Sequence, residues 1–196
     1  MVRLIREGRQ PGISLVLATV IIGSLIVLWQ KEKTIEFKDE MYGISFSISD
    51  GYEKVTREDK QPSQANKKLV AHFVRTDPSA LITVRYETGL RKVRSFTGRS
   101  SIEHFMTDIS QFFPVKYDGY QFGTLEKHEV EGQEFVEHIF SYKDKDDTVK
   151  VRLLIYPYLD DAGYYLMIQS KEADFDKVAK DLSVLRDSVK LIGSKK

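Results

Sequence analysis

The sequence predicts an α+β protein, an α/β/α sandwich around a central antiparallel sheet of about six to seven strands with two main helices, preceded by one transmembrane helix. Three patterns carry this. Ile13 to Trp29 is an unbroken run of apolar and small residues. Four stretches beyond residue 120 alternate as strands do, with turn residues between them. Two further segments, after Ser100 and from near Asp174, repeat apolar residues at helical spacing.

The run at 13–29 (ISLVLATVIIGSLIVLW) contains no charge, and at 1.5 Å per residue it spans roughly 26 Å, close to the hydrocarbon thickness of a bilayer. Trp29 sits where an interfacial aromatic belongs, and Arg9 and Lys31 bracket the two ends. A cleaved secretory signal also begins with basic residues and an apolar run, but Leu28-Trp29-Gln30-Lys31 offers no small residue for cleavage. The segment therefore reads as a signal anchor, with the lipid bilayer as its partner. Arg3, Arg6 and Arg9 before it balance Lys31, Lys33 and Lys38 after it. A short basic tail followed by a long domain favours the N-terminus in the cytoplasm and an extracytoplasmic domain. The organisation is then a tail at 1–12, the anchor at 13–29, a charged linker at 30–36, a domain at 37–192 and a tail at 193–196.

Within the domain, Tyr42 to Ile48 alternates as a strand and Asp50-Gly51 turns it. Glu58 to Lys68 reads as an exposed loop. Lys68 to Thr76 and Ala80 to Thr88 form a hairpin through Asp77-Pro78-Ser79. Ser100 and Glu103 have capping-box spacing, and Ile102, Phe105, Met106, Ile109, Phe112 and Phe113 follow at helical intervals until Pro114 stops the pattern. Strands are expected at Gln121 to Val130, Glu134 to Tyr142, Lys150 to Tyr158 and Tyr164 to Ser170, as an antiparallel meander. The last helix presents Phe175, Val178, Ala179, Leu182 and Leu185 on one face, before a short extension at Val189 to Leu191.

Composition narrows the function. With 41% apolar and 30% charged residues, the chain folds rather than staying disordered. A net charge of +1 argues against nucleic acid as the partner. The absence of cysteine removes disulfides, zinc-thiolate sites, Fe–S clusters and thiol nucleophiles. Asn66 is followed by two lysines, so it is no glycosylation acceptor.

The order of elements resembles the PsbP-like family over residues 37 to 192. The resemblance is carried by Tyr42-Gly43-Ile44-Ser45-Phe46 with Asp50-Gly51-Tyr52, by Gln133-Glu134-Phe135-Val136-Glu137-His138, and by Phe175 through Leu185 to Asp187-Ser188-Val189. The sequence has Ser49 and Tyr52 where the family usually shows proline and tryptophan. The resemblance implies an α/β/α sandwich and a non-enzymatic binding or assembly module that docks on larger complexes.

No catalytic motif and no cofactor signature is present, so no catalytic residue, cofactor or metal ligand is assigned. His72, His104, His128 and His138 fall in no ligand spacing, and His72 and His138 read as hydrogen-bonded sheet histidines. Asp144, Asp146 and Asp147 lack the glycine and the distal glutamate of a calcium loop and read as a hairpin turn. The one local charge bias is Arg85 to Arg99, where Arg85, Arg91, Lys92, Arg94 and Arg99 face only Glu87. These five are the candidate contacts to a protein partner or an anion. Tyr156, Tyr158, Tyr164 and Tyr165 form either a contact surface or a cover for the sheet.

Three roles follow, in order. The first is a membrane-anchored, non-catalytic module docking a protein partner through a sheet edge or the basic loop. The second is a small-ligand or lipid-binding domain with its pocket between the sheet and the Ile102 to Phe113 helix, favoured by a sizeable apolar cavity there and excluded by tight packing. The third is a hydrolase, which requires a histidine, a carboxylate and a nucleophile converging in a cleft.

Overall fold

A computed structural model describes residues 33–56, 67–90, 98–130, 132–159 and 161–192. The expected anchor at 13–29, both tails, most of the 58–68 loop, and Arg91, Lys92 and Arg94 lie outside them. Among the described residues no helix is long and apolar enough to cross a membrane.

The strands are β1 (Thr34–Asp39), β2 (Ile44–Ser49), β3 (Glu53–Lys54), β4 (Lys67–Thr76), β5 (Ser79–Thr88), β6 (Gln121–Val130), β7 (Gln133–Asp144), β8 (Asp147–Tyr158), β9 (Ala162–Lys171) and β10 (Lys190–Leu191). The helices are α1 (Ser101–Lys116) and α2 (Phe175–Ser188). Seven strands form one antiparallel sheet in the order β3-β4-β5-β9-β8-β7-β6, which is the expected central sheet. The meander β6 to β9 occupies one half of it, and β9 pairs with β5 to join the hairpin to the meander.

The opening strand departs from expectation. β2 does not enter the central sheet but joins β1 and β10 in a separate three-stranded one. Its apolar residues Ile44, Phe46 and Ile48 are buried against the central sheet. The Ser47 N–H donates to Ser188 Oγ at 2.8 Å, which ties the strand to the end of the last helix. β1 begins at Thr34, inside the stretch read as linker. Its charged residues hid it, because Phe37 alone in this strand is buried.

One face of the central sheet is covered by β2 and α2, whose Val178, Leu182 and Leu185 enter the larger core with Phe73, Ile82, Leu154 and Tyr164. The other face carries a second core built on α1, with Phe105 and Ile109 against Val136, Phe140, Val151 and Ile155. Complete burial of each such side chain contributes about 1.5–3 kcal/mol. Both cores are made of residues after Thr34, and residues 34–196 form a compact unit of their own. A unit with its own hydrophobic cores is the kind of domain that can fold alone.

Ser100 caps α1 as its spacing predicts. Its side chain accepts from Glu103 N–H at 3.2 Å while the Glu103 carboxylate accepts from Ser100 N–H at 2.8 Å. A cap of this kind contributes about 1 kcal/mol. Pro114 does not stop the helix, which continues to Lys116. The carbonyl freed by the missing proline N–H belongs to Ser110 on the exposed side, where water can serve it.

Candidate functional site

The site is set by the way α1 leans on the sheet. Phe113 meets Phe140 edge-on at 5.3 Å, and Tyr117 packs on Phe140 and Tyr142 at 5.1 and 4.9 Å. These contacts draw the end of the helix toward β7. The side of α1 toward β9, which carries Asp108, Phe112 and Val115, is left standing off the sheet. Between that side and the sheet runs a groove of about 440 Å³, with Ile155 and Tyr165 at its floor and Phe105, Ile109, Phe112 and Lys116 along its helical wall. Phe112 and Val115 are 59% and 87% exposed at its lip. Sequence reasoning placed a possible pocket here and named loose packing as its test.

Gly163 fixes the depth at which α1 sits. A Cβ there would stand 2.8 Å from Phe105 Cζ and 3.2 Å from the Tyr156 carbonyl, so the close approach of the Phe105 ring to the strand requires glycine.

The polar groups lining the groove differ in how they are satisfied. Tyr165 Oη donates to Glu87 Oε2 at 2.5 Å, and Lys67 Nζ lies 3.4 Å from the other Glu87 oxygen and 5.2 Å over the Tyr165 ring. Burial, and then the Glu87 charge, push the Tyr165 hydroxyl well above its ordinary value, so it remains a neutral donor. Asp108 is 3.5 Å from His104 Nε2. Lys116 differs: its ammonium lies over Tyr117 at 5.1 Å and Phe113 at 6.0 Å, with no carboxylate at ion-pair distance among the described residues. Lys116 is an exposed residue, and its ammonium is held below its usual range by desolvation first and then by the like charge of Arg85.

Of the five basic residues singled out in sequence, Arg85 and Arg99 are among the described residues. Arg85 lies mid-β5, paired in register with Tyr165, close enough to Lys116 to act on it. Arg99 precedes α1 and donates to Thr107 Oγ1 at 3.1 Å. Arg91, Lys92 and Arg94 lie outside the described residues.

Most of the tyrosine cluster covers the sheet. Tyr156, Tyr158 and Tyr164 are buried, Tyr158 donates to the Ile192 carbonyl at 2.7 Å, and Tyr164 to that of Tyr42. His72 Nδ1 is 3.1 Å from Thr83 Oγ1. His138 donates to the Thr124 carbonyl at 2.5 Å and accepts from Tyr120 Oη at 3.0 Å, so both are structural as expected. Asp144 and Asp147 pair across the β7–β8 turn, with Lys145 at φ 57°. Asp147 binds Lys171 at 2.8 Å, which makes it a hairpin residue.

Sequence reasoning missed Lys67, Lys116 and Tyr165 as groove residues. Lys116 lay past the expected helix end. Lys67 and Tyr165 come together only through the β4-β5-β9 pairing.

The fold has solved counterparts. The solution structure of cyanobacterial PsbP (CyanoP) from Synechocystis sp. PCC 6803 matches with a TM-score of 0.57 at 9% identity, over 83% of this chain and 95% of that one. The fold is similar to that of PsbP. A crystal structure of a Bacteroides thetaiotaomicron protein gives 0.54 at 6% identity, over 82% of this chain and 49% of that one. At such identities the likeness shows the fold alone. No protein-family model matches the chain. No curated protein matches it in sequence.

Proposed function

We propose that this chain is a non-catalytic binding domain, tethered to a membrane by residues 13–29 with its N-terminus in the cytoplasm, and that the groove along α1 is its binding site. The observation that carries this is the standoff of α1 from the sheet, which leaves a concave apolar wall of about 440 Å³ open beside an exposed phenylalanine. That volume falls within the range of about 300–1,000 Å³ that small-molecule sites occupy. The groove's polar groups favour binding over catalysis: the Tyr165 hydroxyl is committed to Glu87 and Asp108 to His104.

A second reading, docking of a protein partner, is favoured by Phe112 and Val115 at the lip, because exposed apolar side chains in one patch serve as anchors. The sheet edges are poorer docking surfaces. β3 has two residues, while β6 carries Glu126, Lys127 and Glu129 and a register shift between Phe122 and Thr124, features that discourage strand addition.

The test is photo-crosslinking of the full-length chain in cells, with benzoylphenylalanine at position 112 and, as control, at Met41, which is 86% exposed on another element. A discrete small adduct specific to position 112 supports the ligand site, and a protein-sized adduct there supports the second reading. Equal labelling at both positions, or none at 112, overturns the assignment of the groove.

A further inference from the structure

Building on that assignment of the groove, we propose that its ligand is a single-chain amphiphile, with one alkyl chain along the apolar wall and an anionic head, carboxylate or phosphate, at Lys116. The wall formed by Phe105, Ile109, Phe112 and Ile155 offers a chain no hydrogen-bond partner, only apolar area, whose burial contributes about 25 cal/mol per Å². The cavity's 440 Å³ suits one chain of medium length. From Phe105 to Lys116 the helix advances on the order of 16 Å, so the wall is elongated in the way a chain needs.

Charge places the head. Of the two lysines lining the groove, Lys67 already has Glu87 as a partner, whereas Lys116 has no carboxylate partner among the described residues and is repelled by Arg85. A bound anion at Lys116 supplies a counter-charge and screens the neighbouring guanidinium. The acidic residue of the groove, Asp108, stands about two turns earlier on α1, beside the tail and away from the head. An anionic head at the Phe105 end would meet Asp108 instead, so the groove has a direction.

The inference is tested on residues 34–196, the unit that holds both described cores, after a cooperative thermal transition confirms that it is folded. Dodecanoate, dodecyl phosphate and dodecyl maltoside, each below its micelle concentration, are titrated calorimetrically against this fragment and against Lys116→Gln and Lys171→Gln. Lys171 is a cation remote from the groove, and its change controls for net charge. The expected result is that both anionic probes bind about tenfold more tightly than the maltoside. Lys116→Gln should abolish that preference without weakening the maltoside, and Lys171→Gln should change neither. Equal affinity for charged and neutral heads would overturn the anionic ligand while leaving the groove as an apolar binding site. Failure of all three probes to bind the folded fragment would overturn the amphiphile altogether, and the protein adduct at position 112 would then be the remaining reading. Dodecanoate against dodecyl phosphate separates a carboxylate source from a phosphate one.

Discussion

Arg75 of β4 donates through Nη1 to Asp181 Oδ2 of α2 at 2.9 Å, and Tyr52 donates to the same oxygen at 3.2 Å. Asp181 is fully buried, and its other oxygen has no hydrogen-bond partner among the described residues. The pair ties the final helix to β4 of the central sheet, two elements far apart in sequence. Removing one partner of a buried pair leaves a charge uncompensated. Asp181→Ala is therefore expected to lower stability by about 3 kcal/mol, at the lower end of the range because Arg75 is partly exposed. Urea unfolding measures this, and a loss below about 1 kcal/mol would show that water replaces the pair.

His138 makes stability depend on pH. Burial holds its imidazole below the ordinary value of 6.5, partly opposed by the hydrogen bond to the Thr124 carbonyl. The unfolded chain binds this proton near pH 6.5 and the folded one resists it, so stability falls as pH drops below about 6.5 and levels off once the folded imidazole titrates. Melting temperatures from pH 8 to 5 should decline, with a shallower slope in His138→Phe. Identical slopes would assign the decline to other groups.

Much of the fold was legible because its elements obey local rules. Ser100 and Glu103 announced the start of α1, and alternation in the four strands after residue 120 announced the meander. β1 was not legible, since a strand whose one buried residue is Phe37 has no alternation to detect. The separate sheet of β2 was not legible either, because Ile44, Phe46 and Ile48 pattern alike whichever sheet they join. The groove was half legible. On a helix of 3.6 residues per turn, Phe105, Met106, Ile109, Phe112, Phe113 and Val115 span about half the circumference, more than one flat sheet face can cover. Val115 lies at one margin of that arc, but Phe112 lies near its middle beside Phe105, so its exposure was not legible. The aromatic cluster at Phe140 and Tyr142, which decides the side to which α1 leans, depends on long-range pairing that no local pattern encodes.

Gly163 sets the helix height, so Gly163→Ala should push Phe105 and α1 outward and cost about 1–3 kcal/mol, the usual range for overpacking. It should also change the groove's dimensions. Thermal unfolding together with the fluorescence of a groove-bound alkyl dye reads both effects, and an unchanged melting temperature would mean that Phe105 rotates away without displacing the helix.

Lys116 and Lys171 should titrate in opposite senses from the ordinary lysine value. Desolvation and Arg85 lower the first, whereas the Asp147 side chain, by hydrogen bond and charge, raises the second. Competitive acetylation across pH 8 to 12 should therefore modify Lys116 at lower pH than Lys171. Dodecanoate should then shift Lys116 alone upward. Coincident titration of the two would remove the unpaired, partly dry ammonium on which head recognition depends.

The most direct measurement is of intermolecular NOEs between dodecanoate and the methyl groups of the 34–196 fragment. The expected contacts run from the alkyl protons to Ile109 and Ile155, with the exposed methyls of Leu159 and Val130 silent. Contacts confined to Leu159 or Val130, with Ile109 and Ile155 unaffected, would contradict the assignment of the α1 groove as the binding site.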